Sequence, residues 1–181
     1  MTGSRRGSAA LALPAWLLIV ALLVVPSGAV AAEDRDDGRH VEPFIQVGGH
    51  RFRLGETRES VVARLGDPLG SVEYDRGGSV YLMETFAGGT EFGYCGCDGV
   101  VNWISTTNPR ARTFVPVAVG DRREEALRQV AGLVATGDSA LLAVRTRTTA
   151  SSASPAPLWT GLILVFRGDR VARVSLSPLG E

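Results

Sequence analysis

The strongest constraint on this chain is that it resembles itself. "FRLGETRESVVARLGDP" (Phe52–Pro68) and "VAVGDRREEALRQVAG" (Val117–Gly132) align at a shift of 65, so that Gly55 meets Gly120, Glu59 meets Glu124, Val62 meets Leu127 and Leu65 meets Val130. Each reads as a short amphipathic helix. In the first copy Thr57 is placed to cap, Val61, Val62 and Leu65 form the apolar stripe, and Gly66 with Pro68 ends the helix. In the second, Asp121 with Glu124 three residues on makes a capping-box spacing, Ala126, Leu127, Val130 and Ala131 form the stripe, and Gly132 is the stop.

The far ends of the copies also match. "GTEFGYCGCDGVVNWIS" (Gly89–Ser105) and "GLILVFRGDRVARVSLS" (Gly161–Ser177) both read as strand, tight turn, strand. Phe92 and Tyr94 alternate in one, Leu164 and Phe166 in the other. More strand-like sequence lies between helix and hairpin: "SVYLMETF" (Ser79–Phe86) and "LLAVRTRTT" (Leu141–Thr149). "ASSASPAP" (Ala150–Pro157) reads as a loop, and the joint "NPRARTFVP" (Asn108–Pro116) is short. The expected fold class is α+β: two tandem repeats, residues 44–108 and 113–181, each a short helix packed on a three- to four-stranded antiparallel sheet. The free faces of two such sheets, laid side by side, would make one broad surface.

Gly55-Glu56-Thr57, Val61 and Leu65-Gly66-Asp67-Pro68 resemble the opening motif of the outer-membrane assembly lipoproteins BamE (SmpA/OmlA). The tandem copies resemble the β-lactamase inhibitory protein family. The resemblance covers roughly Phe44 to Ser177 by pattern. It implies a binding or assembly module, with envelope assembly or β-lactamase inhibition as its known forms, and fold alone does not transfer function.

The N-terminus reads as a cleavable secretory signal over residues 1–32: Arg5 and Arg6, an apolar run from Leu11 to Val25, then small residues up to Ala31 and Ala32. The alternative is an uncleaved anchor. No cysteine stands at the cleavage site, so the signal is not that of a bacterial lipoprotein. Residues 33–43 read as a flexible leader. The expected location is secreted or periplasmic, with no stable membrane insertion after cleavage. The 19 basic residues are all Arg and balance 19 acids, which gives no electrostatic case for nucleic acid.

For catalysis, the domain offers His50, at a turn in "VGGHRFRLG", with no oriented partner in the pattern. Glu84 with Glu91, and Asp67 with Glu73, have no glycosidase context, and no phosphate-binding glycine loop is present. The chain is read as a non-enzyme with no catalytic residue, cofactor or resident metal. Both cysteines, Cys95 and Cys97, sit in "YCGCDG". In a secreted chain they point to a local disulfide, with free or intermolecular thiols and a metal site (His50 a third ligand if brought near) as alternatives.

Phe92, Phe166 and Phe86 are expected in the core. Strand alternation then turns other aromatics outward. Tyr81 and Trp103 are the expected anchors of a protein interface, with Arg145, Arg147 and Arg173 as charged partners. The expected function is protein binding through open sheet faces, to a partner in the envelope or outside it. The alternative is a small thiol-, disulfide- or metal-responsive protein using Cys95 and Cys97.

Overall fold

The computed structural model describes residues 42–76, 78–146 and 159–179. The expected signal, most of the leader, the Ala150–Pro157 loop and Arg147 lie outside the described residues.

Local sequence explains the elements. Phe44, Ile45 and Val47 run into the Gly48–Gly49 turn, both glycines at positive φ (58° and 85°), and the chain returns as His50–Phe52. These are β1 (Ile45–Val47) and β2 (His50–Phe52). Helix α1 (Arg58–Leu65) starts at Thr57, whose side chain accepts from the Ser60 N–H at 3.3 Å, and stops at Gly66 with φ 81°. Then come β3 (Gly70–Arg76), β4 (Ser79–Phe86), β5 (Thr90–Cys95), β6 (Val101–Thr106) and the two-residue β7 (Arg112–Thr113). Helix α2 (Arg123–Gln129) precedes β8 (Val134–Thr136), β9 (Ser139–Arg145), β10 (Trp159–Arg167) and β11 (Arg170–Pro178). The capping role expected of Asp121 is not realised. Arg122 holds the cap position without a side-chain bond, and the Asp121 carboxylate instead accepts from the Ala118 N–H at 2.7 Å.

The expected fold class is corrected here. The strands do not form two helix-on-sheet units but one continuous eight-stranded antiparallel sheet, ordered β3-β4-β5-β6-β11-β10-β9-β8, beside a three-stranded sheet β2-β1-β7. The helices contribute only eight and seven residues. The physical reason lies at the centre: β6 and β11 would each end a separate sheet as an unpaired edge, and they pair instead, through Thr106↔Val174, Ser105↔Ser175 and Ile104↔Leu176. The self-resemblance survives as a local clasp. Gly55 N–H donates to the Val101 carbonyl (2.7 Å) and Val101 N–H to the Glu56 carbonyl (2.8 Å). Gly120 N–H donates to the Val171 carbonyl (2.8 Å) and Val171 N–H to the Asp121 carbonyl (2.9 Å). Each helix start is thus tied to the turn side of a hairpin.

The core lies on one face of the large sheet. Phe86, Phe92, Tyr94, Ile104, Leu162, Leu164, Phe166, Val174 and Leu176 are buried there, with Val61 and Ala126 from the helices and Ile45 and Phe52 from the small sheet. Phe52 meets Phe92 edge to face, with centroids 5.1 Å apart, and Phe92 meets Phe86 at 5.5 Å. Arg123 at the start of α2 lies over the Phe166 ring, 4.9 Å from its centroid.

Candidate recognition face and the Cys95–Cys97 tip

With Phe92, Tyr94, Glu84 and Phe86 turned into the core, their strand neighbours face the other side of the sheet. Two rows of paired positions cross its β3 side. One is Tyr74, Tyr81 and Cys95, the other Val72, Met83, Gly93 and Trp103. A bulge between Gly93 and Tyr94 sets the second row: Gly93 pairs with Trp103 but Tyr94 with Val101, so Val101 and Ile104 are both buried while Trp103 turns outward. Trp103 lies over Gly93, where an added Cβ would stand 3.2 Å from the Trp103 Cβ and 3.6 Å from its ring. Tyr74 and Tyr81 stack with centroids 5.5 Å apart and planes at 17°. Tyr81 and Trp103 are half-buried, whereas Tyr74 and Val72 are exposed.

The centre of the face is polar. Ser105 and Ser175 share a hydrogen bond at 3.0 Å, and Arg173 stands 3.8 Å from Glu91. On the far side, Arg145 is exposed opposite Trp159, itself 43% exposed, with Ile163 and Val165 further along the same strand. The structure therefore brings Tyr81 and Trp103 together on the β3 side, puts Arg173 at the middle and sets Arg145 apart toward the other edge. Arg147 lies outside the described residues. Tyr74 and Trp159, aromatic but not singled out as anchors, join the surface. Their signal was strand alternation, readable only once β3 and the start of β10 are placed.

The two cysteines form a disulfide, with Cα atoms 5.2 Å apart. Cys95 is half-buried and Cys97 exposed. The tip is closed by backbone as well: Gly99 N–H donates to the Cys95 carbonyl (2.8 Å) and Gly96 N–H to the Val80 carbonyl on β4 (2.7 Å). Gly96 is required there, because a Cβ would stand 2.7 Å from the Val80 oxygen. Asp98 completes a group of potential ligands whose donor atoms lie within 4.8 Å of one another, and His50 is not among them. Sulfurs joined to each other are not thiolate ligands, so in the disulfide form the two cysteines offer no thiolate to a metal.

Glu84, which the sequence offers only as a carboxylate without catalytic context, has a structural place that its sequence neighbours do not reveal. It is fully buried on the core face of β4, and Arg58, the first residue of α1, donates to its Oε1 from Nε (2.9 Å) and Nη2 (2.6 Å). The hydrogen bond to Glu84 raises the Arg58 guanidinium above its ordinary value. Glu84 Oε2 and the Tyr94 hydroxyl are buried without a hydrogen-bond partner among the described residues. Burial, and after it the Glu84 carboxylate, pushes the Tyr94 phenol well above its ordinary value. The pair joins α1 to β4, with Glu84 in the core and Arg58 partly exposed above it, and His50 is exposed at the start of β2 against the edge of Phe52.

No protein-family model matches the chain, and no curated protein matches it. Among solved structures, the crystal structure of an extracellular protein containing a SCP domain from Bacillus anthracis str. Ames is similar at 14% identity and a TM-score of 0.41. The match covers 68% of this chain and 43% of that one. No helix among the described residues is long and apolar enough to cross a membrane.

Proposed function

We propose that this is a secreted or periplasmic, non-enzymatic protein-binding module, whose partner docks on the face of the eight-stranded sheet opposite the core. The observation that carries the reading is the placement of Tyr81 and Trp103: both lie on that face, half-exposed, in adjacent rows beside the exposed Tyr74 and Val72. Aromatics of this kind, held rigidly on a sheet, lose little side-chain entropy on binding and dominate interface energetics. Arg173 and Arg145 supply charge beside them. Eight strands give seven steps of about 4.8 Å, and about seven residues along each at about 3.4 Å make a face on the order of 800 Å². That is about what one partner contributes to a standard interface. The signal-like N-terminus favours an extracytoplasmic partner.

The test is capture from the native envelope and culture medium by the immobilised chain, run beside Trp103→Ala and the Tyr81→Ala/Trp103→Ala pair. A protein retained by the parent and lost, by tenfold or more in affinity, from the double variant is the expected result. Equal retention by parent and double variant, with both folded, refutes the assignment of the face.

A further inference from the structure

We infer that the Cys95–Cys97 disulfide is a thiol-exchange site, a reversible modification point for low-molecular-weight thiols at the corner of the sheet face, rather than a structural cross-link. An internal control carries this. The β5–β6 and β10–β11 hairpins perform the same task, tying a turn to a helix start: Arg58 N–H donates to the Gly99 carbonyl (3.4 Å) and Arg123 N–H to the Asp169 carbonyl (2.7 Å). The second hairpin does so with no sulfur. In the first, the bond joins residues two positions apart, in a loop that the Gly99–Cys95 and Gly96–Val80 backbone bonds already close. A cross-link over so short a span removes little freedom from the unfolded chain. Small-ring, exposed disulfides are the reducible class.

The geometry also assigns the direction of attack. Cys97 is exposed and Cys95 half-buried, so an incoming thiolate reaches the Cys97 sulfur. A sulfur–sulfur bond forms between the small thiol and Cys97, and the Cys95–Cys97 bond breaks with its electron pair on Cys95. The Cys97 backbone N–H, 3.3 Å from the Cys95 sulfur, stands ready to stabilise that thiolate. A second thiol then attacks the mixed disulfide. The protein gains two electrons and two protons, and two small thiols leave as one disulfide. Cys95 is the register partner of Tyr81, which stacks on Tyr74, so the exchange occurs beside these aromatics. Its consequence for partner binding rests on the reading of that face as a recognition surface, whereas the exchange itself does not.

The experiment incubates the purified, folded chain with graded mixtures of reduced and oxidised glutathione, quenches with iodoacetamide and reads intact mass. The expected result is a gain of two alkyl groups under glutathione mixtures that leave an ordinary structural disulfide oxidised, with the far-ultraviolet circular dichroism unchanged. Cys95→Ser/Cys97→Ser is expected to fold with the same spectrum and to gain no mass. Alkylation that requires denaturant, or that comes only with loss of the sheet signal, overturns the inference, as does a double serine variant that fails to fold. None of these readouts uses a partner, so failure here and failure of the capture experiment are separate results.

Discussion

Replacing Arg58 with Met tests whether the buried carboxylate of Glu84 depends on its single cationic partner. Glu84 is fully buried, and both recorded bonds from Arg58 end on Oε1. Cutting back the guanidinium leaves a charge in the core beside the Tyr94 phenol, with a long contact from the Ser71 hydroxyl at 3.4 Å and no cation paired to it among the described residues. Breaking a buried pair from one side costs about 3–5 kcal/mol. The Arg58 side chain is 42% exposed, so water enters when it is removed, and the lower end, about 3 kcal/mol, is the expected loss. For a domain of this size that is a fall in Tm of roughly 10 °C. Glu84→Leu alone leaves a surface-facing Arg and is expected to cost less. The double variant, Arg58→Met/Glu84→Leu, removes both charges and is expected to regain most of the loss, because well-packed apolar replacements of buried pairs are often neutral. Urea unfolding of the four proteins completes a double-mutant cycle. If Arg58→Met costs less than about 1 kcal/mol, or the double variant is as unstable as the sum of the singles, Glu84 is not held by this pair and the reasoning fails.

Three further outcomes follow from individual contacts. Folded-state burial keeps the Tyr94 phenol protonated above the usual value near 10, so its contribution is complete below pH 10 and declines as the pH rises beyond it. Tyr94→Phe, which removes a hydroxyl with no partner among the described residues, is expected to match or exceed the parent in stability at pH 7 and to lose less between pH 9 and 11 in thermal melts. Gly93→Ala places a Cβ 3.2 Å from that of Trp103 and is expected to lift the indole, giving a red-shifted emission in a Trp16→Phe/Trp159→Phe background; an unchanged spectrum refutes the packing. Thr57→Ala removes the side-chain acceptor at the start of α1 and is expected to cost about 1 kcal/mol in urea unfolding.

What the chain's order of residues determined by itself is local. Thr57 and Gly66 bound a helix because their chemistry acts within one turn. Ser79–Phe86 is a strand, and Phe86, Phe92 and Phe166 are buried, because alternation has a period that short windows reveal. The Gly48–Gly49 turn between apolar pairs was a readable signal for the β1–β2 hairpin. What only the tertiary structure decided is non-local. Ser105 meets Ser175 across 70 positions, and no pattern in either strand says that two sheet edges will fuse rather than stay apart. The same pairing turns two expected repeats into one sheet. That Val101 is buried although Trp103 two positions on faces outward depends on a single extra residue, Asn102, bulged on the same strand, which shifts the side chains beyond it by one face. Glu84 looked like any strand carboxylate until β4 was placed with that face inward, under Arg58. Local propensity is written in neighbours a few residues apart, whereas edge pairing, bulge position and buried charge are settled by what arrives from elsewhere in the chain to exclude water.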